Sequence, residues 1–385
     1  MLVPIAVSCM LIFGMSTVVT QKVLFSLGTT GCSSKHPQKF QKFAKPSFQT
    51  LSMFVGMALC LCVFYITKLF KKKDKKDAPL LNDKLQVEQP KAPAFIYMIS
   101  AVPSLCDLCA TLLLNISLLF ISASVWQLLR GSMTVFTALM SRFILKKALP
   151  RFKWTAVAII VFALTIVGAS SLLGPTQPGS APSTDTLLQL FGIIVALLGV
   201  VFQSLQVTFE QKLMADYTDD IPPALLVGIE GLYGMIFTGI ILYIAQHLPQ
   251  HGMIGHFYEN TTESLCMLGK SNTILFTVII YCFFILAYNL SGMYVTKFLS
   301  AVMRSALEGL RTLTILMANL IIHYLINPGF GEIWSRWTVV ELLGFAFLIV
   351  GVYVYNGTIK LRGMHYPEED KAPLVVSNHE LSDDQ

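Results

Sequence analysis

The chain has 385 residues, of which 54% are hydrophobic and only 13% are charged, and its mean hydropathy is +0.65. Soluble domains carry about 25% charged residues, so this composition excludes a large water-soluble domain. The net charge of +6 does not indicate nucleic-acid binding, because the basic residues lie mainly in short segments between apolar runs, where they set membrane topology.

Ten apolar runs follow one another along the chain, each near the roughly 20 residues that a membrane helix needs. Only helices and closed barrels satisfy their backbone groups in lipid, and runs this long and continuous predict helices. We therefore expect an all-α membrane protein with ten transmembrane helices, numbered here as spans 1 to 10. They cover about 3–27, 48–70, 94–119, 122–145, 154–173, 187–213, 223–247, 273–296, 300–326 and 338–356. Span 1 lacks the basic start and the cleavage site of a signal peptide, so we expect a mature helix.

Lysines and arginines between the spans predict the orientation of the chain. They are concentrated after spans 2, 4 and 10, and the positive-inside rule places these segments in the cytosol. Both termini are then cytosolic. Four lysines between spans 1 and 2 face outward in this arrangement and go against the rule; these are Lys35, Lys39, Lys42 and Lys45.

The two halves of the chain resemble each other. The clearest match aligns span 5, WTAVAIIVFALTIVGASSLLG at 154–174, with span 10, WTVVELLGFAFLIVGVYVYNG at 337–357, through paired Trp, Thr, Phe, Ala and Gly residues. Each half has five spans, an odd number, so the second half enters the membrane with opposite polarity. Inverted repeats are typical of secondary transporters, whose site lies between the halves. We expect two inverted five-helix repeats, 1–174 and 175–360, followed by a cytosolic tail at 361–385. A duplicated membrane anchor without a pathway is the alternative.

Charged residues inside the predicted spans argue against a simple anchor. Each costs about 2.5–3.5 kcal/mol at the bilayer centre on insertion scales, so none can face lipid cheaply. We expect them to line the interior between the halves. They are Lys22, Asp107, Arg130, Glu210, Glu230, Arg304, Glu308 and Arg311.

Span 9 carries three of these charges on one helical stripe. Arg304, Glu308 and Arg311 are spaced i, i+4 and i+7, so neighbours can pair. Arg304 and Glu308 are either a self-neutralising structural ladder or part of a site, and we expect Arg311 to keep spare charge. Its counterpart in the first repeat is Arg130, because each arginine follows a leucine in corresponding spans. Two guanidiniums that approach one cavity suit a phosphate or carboxylate group.

The acidic residues have two interpretations: Asp107, Glu210 and Glu230 either carry protons or balance the cations. Four polar or aromatic residues are further candidates for solute contact, and ordinary hydrogen bonding between helices is the alternative for each. These are Gln127, Tyr233, Tyr288 and Asn289. The pair Cys106-x-x-Cys109 has no second pair nearby, so we predict neither a metal site nor a cofactor.

The outward and cytosolic loops carry three smaller predictions. Of the four Asn-x-Ser/Thr sequons, at Asn115, Asn260, Asn289 and Asn356, we predict glycosylation at Asn260, because it lies in the long outward loop 248–272, out of the predicted helices. Cys32 and Cys266 are the two cysteines in outward loops, where an oxidising lumen permits a disulfide. Leu80 and Leu81, which follow Asp77 closely, form an acidic dileucine pattern that predicts sorting to post-Golgi membranes.

Five stretches resemble a known family: PSLCD at 103–107, SASVWQLLRGSMTVFTALMS at 122–141, GIEGLYG at 228–234, YNLSGMYVTKFLSAVMRSALEGLRT at 288–312 and VYVYNG at 352–357. They look like the F subfamily of solute carrier family 35, in the drug/metabolite transporter superfamily that includes nucleotide-sugar and chloroquine-resistance-type transporters. The likeness covers nearly the whole chain but not 28–47 and 71–91. It implies the drug/metabolite transporter fold of two inverted five-helix repeats, alternating access, and an internal membrane of the Golgi, lysosome or vacuole.

The leading functional prediction is a secondary transporter of a small organic solute, anionic or nucleotide-sugar-like. A Gly-x4-Gly-Lys loop is absent from the sequence, so ATP drive is not expected. A receptor or scaffold for soluble partners is the alternative; an enzyme is not expected, because the sequence has no paired catalytic motif. The expected partners are the lipid bilayer and a small-molecule solute, with no nucleic acid, and a homodimer is left open.

Overall fold

The structure is a computed structural model, and it describes residues 2–30, 40–43, 45–77, 94–117, 120–121, 126, 129–146, 149–173, 186–216, 221–247, 259–326 and 334–365. Its helices in chain order are α1 (Leu2–Ser26), α2 (Pro46–Ala58), α3 (Cys60–Asp77), α4 (Ala94–Ile99), α5 (Ala101–Ser117), α6 (Met133–Ile144), α7 (Arg151–Leu173), α8 (Thr186–Asp216), α9 (Pro223–Gln246), α10 (Thr261–Lys270), α11 (Asn272–Phe298), α12 (Ala301–Ile321) and α13 (Arg336–Tyr355). A π-helical segment, Ile322–Ile326, continues α12.

Eight of the described helical segments are long and apolar enough to cross a membrane. They correspond to predicted spans 1, 2, 3, 6, 7, 8, 9 and 10, which makes the chain a polytopic helical membrane protein. Predicted span 4 lies partly outside the described residues, and its helix α6 has 12 residues. Predicted span 5 coincides with α7, which has 23 residues. The total of ten spans therefore stays a prediction.

Two predicted spans are broken helices. Span 3 divides at Ser100 into α4 and α5, because Pro103 has no N–H to donate to the carbonyl of Ile99. Span 2 divides at Leu59 into α2 and α3, where α9 comes very close. A Cβ placed on Gly231 of α9 would lie 2.3 Å from the backbone nitrogen of Ala58. Glycine is therefore required at this crossing.

The packing of the helices joins the two halves of the chain. Helix α7 packs against α13 along its length, at Gly344 and Gly351, where an added Cβ would lie 2.7 Å from Val167 and Ile160, respectively. Helix α2 packs against α9, α1 against α11, and α5 against α8. The most extensive contacts between the predicted halves therefore join four pairs of spans: 5 and 10, 2 and 7, 1 and 8, and 3 and 6.

A cap of short elements lies where α1 and α2 meet the segment before α11. Strands β1 (Gly28–Thr30) and β2 (Phe40–Lys42) pair antiparallel, an addition to the all-α expectation. The carboxylate of Glu259 accepts hydrogen bonds from the backbone N–H groups of Ser47 and Phe48 at 2.9 and 2.8 Å. A carboxylate at a helix N-terminus is stabilising, so this contact fixes the start of α2. Helix α10 occupies the last part of what was predicted as loop 248–272.

Candidate functional site

Two groups of charged side chains lie along α12, about two helical turns apart. We call one the arginine cluster; it comprises Trp126, Arg130, Tyr288, Glu308 and Arg311. We call the other the acidic cluster; it comprises Asp107, Gln206, Glu210, Glu230 and Arg304. Together they contain every described charged residue that the sequence placed inside the membrane, apart from Lys22.

Arg311 is held from two sides in the arginine cluster. Its Nη1 donates to the hydroxyl of Tyr288 at 2.7 Å and lies 3.1 Å from Oε2 of Glu308. The Tyr288 hydroxyl in turn donates to Oε1 of Glu308. The guanidinium also lies over the Tyr288 ring, with Cζ 5.3 Å from the ring centroid. Arg311, Glu308 and Tyr288 therefore form a closed triangle between α11 and α12.

Arg130 is the second guanidinium of this cluster, and it comes from the first half of the chain. It lies over the indole ring of Trp126, with Cζ 4.9 Å from the ring centroid. The Trp126 Nε1 donates to the backbone carbonyl of Leu114 at 3.0 Å, which fixes the indole. Arg130 is close enough to Arg311 and Glu308 to interact with both electrostatically. Among the described residues, no carboxylate lies within ion-pair distance of Arg130.

The arginine cluster therefore holds two cations and one anion. A small residue on α1 makes room for it: a Cβ on Gly14 would lie 2.7 Å from Cδ of Arg311 and 3.0 Å from Cε2 of Tyr288. Helix α1 thus closes one side of the cluster by backbone contact. The excess positive charge is what a phosphate or carboxylate group would neutralise.

The acidic cluster is organised around Glu210. Its Oε2 pairs with Nη1 of Arg304 at 2.5 Å, and its Oε1 accepts from Nε2 of Gln206 at 3.0 Å. The Arg304 Nη1 also lies 3.4 Å from the hydroxyl of Thr296. Arg304 packs against Gly292, where a Cβ would lie 3.1 Å from its Nε. Glu210 and Arg304 are both buried, so this is an ion pair removed from water.

Two further carboxylates lie beside this pair. Glu230 is completely buried, and neither of its carboxylate oxygens receives a hydrogen bond. Its neighbours include Glu210, Asp107 and Arg304. Asp107 of α5 is only partly buried and interacts electrostatically with Glu210 and Arg304. The acidic cluster therefore holds three carboxylates and one guanidinium.

The structure distributes the charges of α12 differently from the expected ladder. Arg304 pairs with Glu210 of α8 and not with Glu308 of its own helix. Glu308 pairs with Arg311, so the excess charge of the arginine cluster belongs to Arg130 and not to Arg311. The spacing allowed both pairings of Glu308, and the tertiary contact with α8 decided between them.

The remaining candidates contribute less to these clusters. Asn289 donates to the carbonyl of Ile285 on its own helix at 3.0 Å, which agrees with the structural alternative. Tyr233 stacks on Phe237 with ring centroids 6.1 Å apart, also within its own helix. The side chain of Lys22 and the whole of Gln127 lie outside the described residues. Sequence reasoning missed Trp126, although its i, i+4 spacing to Arg130 is a detectable signal.

Three predictions about loop residues remain open. Cys266 of α10 is disulfide-bonded, but Cys32, its predicted partner, lies outside the described residues, as do Leu80 and Leu81. Asn260 accepts a hydrogen bond at Oδ1 from the N–H of Glu263 and caps α10, which leaves its Nδ2 out of this contact.

In the described ranges, no three His, Cys, Asp or Glu side chains are grouped closely enough to hold a metal ion.

Comparisons with known proteins indicate which class of protein this chain resembles. No protein-family model matches the chain. A solved protein crystal structure superposes with a TM-score of 0.50 at 10% identity, covering 91% of this chain and 95% of the other, which indicates a shared fold alone. Solute carrier family 35 member F6 of Rattus norvegicus is 27% identical over 352 residues, covering 90% of this chain and 87% of the relative. The Homo sapiens protein of that name is 26% identical over the same length, and an uncharacterized protein of Schizosaccharomyces pombe is 29% identical over 320 residues.

The apolar helices and the buried charges between them define a polytopic membrane protein of the solute-carrier type. The chain is similar to members of the F subfamily of solute carrier family 35 over about nine-tenths of its length.

Proposed function

We propose that the chain is a secondary transporter that moves a small organic anion across an internal membrane by alternating access. The observation that carries the proposal is the excess positive charge of the arginine cluster. Arg311 is neutralised by Glu308, whereas Arg130 has an aromatic neighbour and no carboxylate within ion-pair distance among the described residues. A cation inside a membrane span is costly unless it has a partner or a use, and an anionic solute supplies the partner.

The chemistry of the cluster fits a phosphate or carboxylate. A guanidinium presents N–H groups in a planar fork that binds such groups in a bidentate manner. Arg130 and Trp126 would hold one side of the solute, while Arg311 and the Tyr288 hydroxyl would contact the other. A nucleotide-sugar-like solute carries both a phosphate for the arginines and a ring for the aromatic side chains.

The helix packing supports two inverted repeats as the moving parts. In two five-span repeats, span 1 corresponds to span 6 and span 3 to span 8. The contact between spans 1 and 8 therefore corresponds to the contact between spans 6 and 3, and both contacts are extensive. The same correspondence leaves the contacts of span 5 with span 10 and of span 2 with span 7 unchanged. Arg130 and Arg311 come from corresponding spans of the two predicted halves, so a rocking motion would move one relative to the other. We place both termini in the cytosol and the protein in the Golgi, lysosome or vacuole, as the charge distribution and the family resemblance indicate.

The test is uptake into proteoliposomes that contain the full-length protein. The probes are labelled UDP-glucose, UMP and citrate as anions, with choline as a cation. We expect uptake of at least one anion and none of choline. Because a hydrogen bond to a charged group contributes about 1.5–3 kcal/mol, Arg130→Gln and Arg311→Gln should each weaken anion binding about 10- to 100-fold.

The matched control is Arg142→Gln, which removes the same charge from an exposed position of α6 and should leave uptake unchanged. Unchanged anion uptake in well-expressed Arg130→Gln and Arg311→Gln proteins would disprove solute contact by the arginines. Uptake of none of the probes would favour the scaffold alternative.

A further inference from the structure

The acidic cluster contains one carboxylate that is firmly held as an anion. Glu210 is 1% exposed, and each of its oxygens has a donor: Arg304 at 2.5 Å and Gln206 at 3.0 Å. A guanidinium and an amide N–H both stabilise the charged form of a carboxylate. Glu210 is therefore the anion of an ion pair, and it neutralises the positive charge of Arg304.

Glu230 has the opposite environment. It is 0% exposed, and neither oxygen receives a hydrogen bond from any donor. The carboxyl groups of Glu210 and Asp107 lie close enough to act on it electrostatically. Burial without a donor, beside another carboxylate, disfavours the ionised form of a carboxyl group. Since Glu210 is held as the anion, the proton belongs to Glu230.

Among the described residues, the elements packed around Glu230 supply no further cation to balance its charge. Cys60 faces it from the start of α3, Asp107 from α5, Glu210 from α8 and Arg304 from α12. The serine hydroxyl of Ser104 on α5 donates to the backbone carbonyl of Glu230 and not to its side chain. Three of these neighbours are acidic or neutral, and the one cation is already paired.

We propose that Glu230 is a proton-binding site, at which one proton is bound to its buried carboxyl group. The proton leaves when Arg304 moves from Glu210 towards Glu230, because the guanidinium then stabilises the Glu230 carboxylate. Helix α12 carries both Arg304 and Arg311, so its displacement would act on both clusters. The use of this proton to drive solute movement rests on the proposed transport function, whereas the proton site itself does not.

The first experiment is infrared spectroscopy of the purified full-length protein in lipid nanodiscs, without any solute. We expect the C=O stretch of a protonated carboxyl group at neutral pH. Glu230→Gln should remove this band, and the matched control Glu308→Gln should retain it. Arg304→Gln should add a second band, because Glu210 then loses its counter-ion. Absence of the band in the unmodified protein, or its persistence in Glu230→Gln, would overturn the proposal.

A second measurement keeps the proposal testable if Arg304→Gln does not fold. The unfolded chain releases the Glu230 proton above the ordinary glutamate pKa of about 4.3, while the folded protein keeps it. The folded state then binds more protons, so stability falls as pH rises through the neutral range. We expect this loss in unfolding temperature in the unmodified protein and in Glu308→Gln, and a flatter pH profile in Glu230→Gln. Identical profiles for all three would contradict the proton site and would leave anion transport by the arginine cluster unaffected.

Discussion

Arg304 and Arg311 lie two turns apart on α12, and the structure surrounds them in different ways. Arg304 has a buried partner, Glu210, on another helix, and the side chains of this pair are 8% and 1% exposed. Arg311 pairs with Glu308 of its own helix, and the side chains of this pair are 12% and 11% exposed. The first pair joins two helices in a region rich in carboxylates. The second lies beside another guanidinium, in a region with excess positive charge.

This difference separates two ways of using a buried charge. A pair that is closed on itself and lies among other carboxyl groups contributes to helix association and, in our proposal, lies beside a bound proton. A pair that lies next to an unneutralised cation leaves charge for a ligand. The residue types on α12 are the same in both places, so the helices that pack against each turn determine the outcome. Substitutions that remove one partner at a time distinguish the two clusters.

The largest expected effect comes from Glu210→Ala. This change leaves Arg304 buried without its partner, and breaking a buried ion pair from one side typically costs about 3–5 kcal/mol. Glu308→Ala should cost less, because Arg311 keeps the Tyr288 hydroxyl and is nearer to water. Thermal unfolding of the two purified variants in detergent measures the contrast. Equal losses would show that the two pairs are equivalent and would remove the distinction between the clusters.

An intermediate effect is expected for the arginine cluster when its charges are exchanged. Arg311→Glu and Glu308→Arg should each destabilise the protein by about 1.5–3 kcal/mol, since a hydrogen bond to a charged group is lost. The double variant restores an ion pair and should regain much of the stability. If Arg311 contacts the solute, the double variant should still lack anion uptake. Recovery of both stability and uptake would mean that Arg311 serves only to balance Glu308.

The smallest effect is expected from a single methyl group. Gly14→Ala places a Cβ 2.7 Å from Cδ of Arg311, and overpacking of this kind costs about 1–3 kcal/mol. Gly292→Ala brings a Cβ only to 3.1 Å from Nε of Arg304, so it should perturb the acidic cluster less. Gly239→Ala is the control, because nothing lies within 4 Å of the added Cβ. Unfolding temperatures should rank Gly14→Ala lowest and Gly239→Ala at or above the unmodified protein, and the reverse order would contradict this account of Gly14.

The sequence predicted the membrane helices well because hydrophobic length is a local property. Predicted span 6, at 187–213, coincides closely with Thr186–Asp216, and predicted span 7, at 223–247, with Pro223–Gln246. The breaks at Leu59 and Ser100 were not predicted. Pro103 is a visible cause of the second break, but the first accompanies the approach of α9 to α2, which a single segment cannot reveal.

By itself, the sequence determined which charged residues fall within the predicted spans and that Arg304, Glu308 and Arg311 share one stripe of a helix. The period of the helix fixes that much. Only the tertiary structure decided that Arg304 pairs with Glu210, that Glu308 pairs with Arg311, and that Glu230 is left without a donor. The physical reason is that an ion pair forms with whichever opposite charge the packing of the helices brings within reach. Glu210 lies 94 residues from Arg304 in the sequence, so the sequence alone does not show this contact.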